Sequence, residues 1–342
     1  MDLLFKIATE EEFQIDFKQS LGFIDSDIPL VKIKPDLMSA TRTLIKTIGS
    51  ITYKALITNN LKADTEPTKD KTLDFFAKYA VSTAAYALYA PSNDLGHTPS
   101  GRKMRTSDDT KTPFEWMMAR DDDNLEKRSF RALDDLLNYM DSHLEEWKES
   151  EEFKKVNKLF VRTVDDFDRT YQLGSRLLLL KLQSGMSSCE KREIIPRIGK
   201  DVFNDLKTRF IYFATTILEA QEEPTEEPLT DEELLLIELI QDACVYYALS
   251  WGLPRLQLNL FPEGVLQSIR GERTTVKGRI APIGMQVDQV SQLFSIDAAG
   301  KFEEIEDLYA ALNPPPEPIE LTTDQKNIIE FGFDTDDNFV NT

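Results

Sequence analysis

The run Thr72 to Ala90, TLDFFAKYAVSTAAYALYA, is apolar on most of its helical faces and stops at Pro91. A second run of the same kind, Asp231 to Trp251, DEELLLIELIQDACVYYALSW, follows Thr230. A helix that is apolar nearly all round has to be covered by its neighbours, so each run predicts the central, buried helix of a core. One constant offset lays Tyr86-Ala87-Leu88 on Tyr247-Ala248-Leu249 and Leu73 on Leu234. The same offset lays Ile33 on Ile194, Pro35 on Pro196, Pro67 on Pro228 and Leu95 on Leu256. With small gaps, Thr9 to Phe13 (TEEEF) resembles Thr163 to Phe167 (TVDDF), and Phe130 to Leu137 (FRALDDLL) resembles Phe302 to Tyr309 (FEEIEDLY). An offset that persists over spaced residues marks an internal duplication.

Working outward from the two runs, each half reads in the same order. In the first, a short apolar stretch, Leu3 to Ala8, precedes a helix start at Thr9 with Glu12 in the capping-box position. Asp36 to Asn60 has helical period through Leu37, Thr41, Leu44, Ile45, Ile48, Ile51 and Leu56. The buried helix ends at Pro91, a polar loop with glycines runs from Asn93 to Pro113, and Phe114 to Ser150 reads as a long charged helix broken around Asp121–Asn124. In the second half, Val164 to Leu182 reads as helix ended by Gly185, and Pro196 opens a helix to Gln221. Thr230 and Glu233 cap the second buried helix. Leu256–Leu260 and Val265–Ile269, around Pro262-Glu263-Gly264, read as a β-hairpin. Met285 to Ala311 is a closing helix interrupted near Gly300.

The expectation is a mainly α fold of two tandem helical repeats, residues 1–150 and 151–312, each with small β elements. A Pro-rich linker and an extended C-terminal arm, residues 313–342, follow. The spacing of a Rossmann-type βαβ unit is absent from the sequence.

Composition sets further bounds. The 342 residues are 41% hydrophobic and 10% aromatic, a globular composition. Asp2, Lys6 and Glu10 to Glu12 interrupt any signal-like apolar stretch behind Met1, so the expectation is synthesis in the cytoplasm and no membrane association. The net charge of −20 argues against a general nucleic-acid-binding surface, because such surfaces neutralise phosphates with Lys and Arg. An acidic wall beside which DNA passes without sticking remains compatible with it.

No catalytic or metal motif stands in its required context. Gly96-His97-Thr98-Pro99-Ser100-Gly101-Arg102-Lys103 has the outline of a phosphate loop. It carries Arg102 where the lysine belongs, and Pro99 removes a backbone donor from the cradle. His97 and His143, the two histidines, pair with no nucleophile or ligand partner at a recognisable spacing. Cys189 and Cys244 are too few for a zinc site. The acid runs Asp121–Asp123, Asp134–Asp135 and Asp165, Asp166, Asp168 read as solvated helix faces, since the calcium-loop glycine and glutamate are missing. No cofactor is expected.

Two features point to contacts with other chains. Basic residues cluster after each buried helix: Arg102, Lys103 and Arg105 in the first half, and Arg270, Arg273, Lys277 and Arg279 in the second. Basic loops on an acidic body suit salt-bridged contacts with an acidic neighbour or with a phosphate backbone. Beyond Pro314-Pro315-Pro316 and Pro318, the tail sets Ile328, Ile329, Phe331 and Phe333 among acids, in the manner of a docking arm.

The polar loop with Gly96 and Ser107-Asp108, then Thr112-Pro113-Phe114, resembles an uncharacterised family encoded among virion genes of tailed phages and prophages. Arg162-Thr163-Val164-Asp165-Asp166-Phe167, Ser175-Arg176, Ile194-Ile195-Pro196-Arg197-Ile198-Gly199 and Leu253-Pro254-Arg255-Leu256 up to Gly264-Val265 carry the likeness onward. That resemblance brings no catalytic residues. It implies a non-enzymatic virion protein of the neck, a homo-oligomeric ring serving as head–tail connector or adaptor. Its expected partners are copies of itself, portal, capsid or tail components, and DNA passing through a channel without sequence-specific binding. The alternatives are a cytosolic adaptor or scaffold, and an enzyme of an unrecognised helical type.

Overall fold

The computed structural model describes residues 2–63, 65–98, 101–104, 114–216, 227–256 and 284–314. The first helix, α1 (Glu10–Leu21), starts where Thr9 accepts the Glu12 N–H and stops at Gly22, whose φ of 70° turns the chain. It buries Phe13 and Phe17, which pack with Phe5 at ring-centroid distances of 6.2 and 5.6 Å.

In place of one helix over Asp36–Asn60 there are two, α2 (Leu30–Ile48) and α3 (Ser50–Leu61). The break is Gly49, at φ 83° and ψ 161°, a conformation open essentially to glycine alone. The long helix α4 (Lys71–Asn93) is capped by Asp70, which accepts from the Thr72 and Leu73 N–H groups. Pro91 lies in its last turn and does not end it at once; the ring's fixed φ is helical, so a proline there removes one hydrogen bond and the chain leaves the helix soon after. The segment expected to be a polar loop contains an antiparallel hairpin, β1 (Leu95–Thr98) with β2 (Gly101–Met104), pairing Leu95 with Met104 and Thr98 with Gly101. Helix α5 (Glu115–His143) runs unbroken through Asp121–Asn124, because Leu125 is already buried there against the core side. The chain bends later, at Leu144, into α6 (Glu145–Lys148) and α7 (Glu151–Asn157).

The second half opens with the short α8 (Val164–Asp168), held by a full capping box between Thr163 and Asp166. Helix α9 (Arg176–Cys189) passes straight through Gly185, where a break was expected. A Cβ at that glycine would lie 3.0 Å from the Trp251 ring and 3.1 Å from the Ala248 Cα, so Gly185 is a close-approach position and not a terminator. A π-helical turn, Glu190–Ile194, then joins α9 to α10 (Ile195–Ile198), and Gly199 separates α10 from α11 (Lys200–Thr216). Helix α12 (Asp231–Gly252) has the expected capping box, Thr230 with Glu233. By length and composition α12 could cross a membrane, yet half of its most apolar window is buried and it is the central helix of the second core. Helix α13 (Gly284–Leu312) is continuous at Gly300, pinned on either side by buried Ala298 and Phe302. The hairpin expected over 256–269 lies outside the described residues, apart from Leu256.

The helices repeat as a two-part pattern. Gly49 and Gly199 have nearly the same backbone angles, φ 83° and 82°, and each donates its N–H four residues back, to Ile45 and Ile195. Ile48 and Ile198 precede them; Tyr53 and Phe203, Leu56 and Leu206 follow at equal spacing, and all are buried. The buried series Leu73, Ala77, Ala80, Val81, Ala85 in α4 has the spacing of Leu236, Ile240, Ala243, Cys244, Ala248 in α12. These matches correct the single offset inferred above. Leu73 is buried while Leu234 is exposed, and Leu249 is buried while Leu88 is exposed. One cause is visible in α9: Leu182, Met186 and Cys189 match Ile33, Leu37 and Ala40, but the step to Ile194 is one residue longer than the step to Leu44. The π turn absorbs that extra residue and returns the apolar face to the core.

Two hydrophobic cores result. One runs from Leu4 to Trp147 and takes in Leu177; the other runs from Val156 to Ile305. Phe130 and Leu180 pack against both. Polar contacts tie the halves at this seam. Asp134 of α5 accepts from Ser175 Oγ at 2.9 Å and from the Leu177 N–H at 2.7 Å, at the start of α9. Arg176, 2% exposed, pairs with Asp141 at 2.7 Å.

Candidate functional site: a charged cleft on the fifth helix

Lys127, Arg128 and Arg131 fall within little more than one turn of α5, so their side chains leave the helix toward the same side. The connection after α1 contributes Phe23, and α4 contributes Tyr79. Between these elements lies a cleft of about 620 Å³, bordered also by Asp121, Asn124, Leu125, Ala132 and Asp135. The Arg128 guanidinium lies 4.1 Å from the centroid of the Phe23 ring, and Phe23 in turn meets Tyr86 edge-on at 5.7 Å. A smaller cleft of about 200 Å³ adjoins it, sharing Lys127 and Arg131 and reaching Phe130, Gly174 and Ser175 at the seam. Lys181 lies 5.3 Å above the Phe130 ring, and burial pulls its ammonium below the usual lysine range.

One acid of the cleft is perturbed as well. Burial, and then repulsion from Asp134, push the Asp135 carboxyl above the usual range, against the pull of Arg131. Outside the cleft, burial and the neighbours Asp94, Asp121 and Asp123 push Asp122 upward. The cleft therefore combines three cations with two aromatic rings on a chain of net charge −20, an arrangement that can hold an anionic group with an apolar body beside it.

Of the residues expected to make contacts, Arg102 and Lys103 stand on β2, paired with His97 and Gly96 of β1. Arg105, Arg270, Arg273, Lys277, Arg279, Ile328, Ile329, Phe331 and Phe333 lie outside the described residues. Several carboxylates read as solvated faces are engaged instead. Asp134 holds the start of α9, Asp166 completes the α8 capping box, and Asp168 accepts from the Leu173 and Gly174 N–H groups. His143 stacks on Tyr139 at 4.1 Å between centroids, with Nδ1 3.0 Å from the Tyr139 carbonyl oxygen. Cys189 and Cys244 are both buried, and the Cys244 thiol is pushed far up, first by its hydrogen bond with Cys189 and then by burial. Among the described residues no group of three or more His, Cys, Asp or Glu is placed to hold a metal ion.

Sequence reasoning missed the cleft. The signal available was the 127, 128, 131 spacing, hidden in a helix read only as charged. It also missed large apolar side chains in solvent. Phe114, Trp116 and Met117 stand exposed at the start of α5, and Met285, Leu293 and Ile296 along the N-terminal half of α13.

No curated protein and no solved structure matches the chain. One family's sequence profile does, in two segments, residues 34–157 and 194–306. The first segment runs from within α2 through α7, and the second from the end of the π turn into α13, so each takes in a glycine turn, a capped central helix and the long helix after it. The match covers well over half of the chain, which thus belongs to DUF6712, a family of unknown function.

Proposed function

We propose that this protein is a structural component of a tailed-phage particle, a ring-forming connector or adaptor in the neck between head and tail, acting without catalysis. The resemblance to virion proteins supplies the setting. The observation that carries the reading is the exposure of large apolar side chains at the start of α5 and along α13, the closing helices of the two halves. Phe114 is 69% exposed, and Met285 and Ile296 are each 67% exposed. Contiguous exposed apolar side chains mark sites of protein association. Two such groups on different parts of one chain suit head-to-tail contacts, which close into a ring when the rotation between copies allows it. The acidic body then keeps passing DNA from adhering, the basic segments around Arg102 and Arg270 meet acidic neighbours, and residues 313–342 act as a docking arm.

Native mass spectrometry of the purified chain should show one discrete oligomer. Trp116→Asp combined with Ile296→Asp should shift it to monomer with an unchanged circular dichroism melt. Proteomics of purified particles from the encoding phage should find the chain at a fixed stoichiometry to portal. A strictly monomeric wild-type chain would overturn the ring, and absence from particles would overturn the virion role.

A further inference from the structure

The cleft on α5 has a fitting occupant within the same sequence. Around Phe331 and Phe333 the C-terminal segment carries Glu330, Asp334, Asp336 and Asp337, so it presents aromatic rings bracketed by carboxylates. The cleft offers the converse: Lys127, Arg128 and Arg131 beside the rings of Phe23 and Tyr79. We propose that the cleft between α4 and α5 receives the segment around Phe331–Asp337 of a second copy of this chain, linking neighbours in the ring. The inference rests on the ring reading above and names the receiving site for the arm.

Charge complementarity is one support, since guanidinium groups bind carboxylates as paired donors and stack on aromatic faces. Asp121 and Asp135 also face the cleft, and they define where the acids of the arm would be repelled and so set its register. Reach is the other support. From Leu312, the last residue of α13, to Phe331 is a chain that spans up to about 60 Å when extended. Helix α13 itself, at 29 residues, is about 43 Å long. A sequence with Pro314 to Pro316 and Pro318 disfavours a tight reversal after α13, which favours a neighbouring copy over the same chain as the acceptor.

The test uses the full chain with the photo-cross-linking residue p-benzoylphenylalanine in place of Phe331. Equal parts of ¹⁵N-labelled and unlabelled chains are mixed, irradiated and digested. The expected product joins residue 331 of one isotope to the α5 peptide spanning Lys127 to Arg131 of the other. Arg128→Glu with Arg131→Glu should lower its yield at least tenfold; Arg131→Gln alone, a milder change, should lower it severalfold. Cross-links within one isotope only would mean that the arm docks on its own chain and would overturn the proposal. Cross-links to other peptides while the oligomer mass is unchanged would overturn the cleft and leave the ring intact. A wild-type chain that is monomeric in the same sample overturns both.

Discussion

Glu190 shows how a single charged residue is accommodated inside the second core. It is 3% exposed, accepts the Phe160 N–H at 2.8 Å and pairs with Lys207. Removing one partner of a buried pair is costly because the other charge is left without compensation. Glu190→Gln keeps an acceptor for the Phe160 N–H and removes only the charge facing Lys207, which keeps some access to water, so its cost should stay below the roughly 3 kcal/mol of a fully broken buried pair. The pH dependence tests which force dominates. Burial pushes the Glu190 carboxyl up, against Lys207 and the Phe160 N–H, which hold it down. A carboxyl raised in the folded state binds more protons there than in the unfolded chain, so its contribution falls as pH rises through the raised value. The penalty of Glu190→Gln, from urea melts, should thus be larger near pH 4 than at pH 7. The opposite slope would show that the attraction of Lys207 outweighs burial.

At the scale of elements, the crossing of α9 and α12 is set by one missing side chain. Gly185 lets the two helices approach until a Cβ would press on the Ala248 backbone and the Trp251 ring. The Ala248 backbone cannot swing aside as a flexible side chain would, so Gly185→Ala has to push the helices apart. An overpacked core of this kind loses about 1–3 kcal/mol, less the roughly 0.5–1 kcal/mol that alanine recovers as the better helix former. The expected net loss is about 1–2 kcal/mol, read from the midpoint of denaturant unfolding. A stabilised variant would mean that α9 and α12 are not in contact at this point. The π turn after α9 belongs to the same scale. One residue more than in α2 would rotate Ile194 and Ile198 off the core, and the wider turn brings them back.

At the scale of the whole molecule, the described helices supply two well-filled cores. Among the described residues Ile305 is the last buried one of the second core, with Leu308 and Tyr309 packed at its edge. Deleting residues 315–342 should therefore shift the melting midpoint by less than about 2 °C, equivalent to under roughly 1 kcal/mol for a chain of this size. Differential scanning calorimetry on the two forms measures it, and a fall of several degrees would show that the segment completes a core. If the proposed arm joins neighbours in a ring, the same deletion should raise the concentration at which that oligomer dissociates.

Much of this architecture was legible from residues alone. The two central helices, the capping residues Thr9, Thr230 and Glu233, and the doubling of the helical unit depend on local pattern, and local pattern survives in the fold. The hydrophobic period chooses which face is buried whatever the neighbour is. Glycine behaved otherwise. Gly49 and Gly199 turn the chain at positive φ, each just after an isoleucine, whereas Gly185 and Gly300 continue helices after Ser184 and Ala299. Glycine permits a turn; whether one occurs depends on which arrangement buries the flanking apolar residues, such as Ile48 and Ile198 before the turns or Ala298 and Phe302 around Gly300. The cleft has the same origin. Lys127, Arg128 and Arg131 are visible in the sequence as a spacing, but Phe23 and Tyr79 come from distant elements, and only packing of α4 on α5 brings rings and cations to one place.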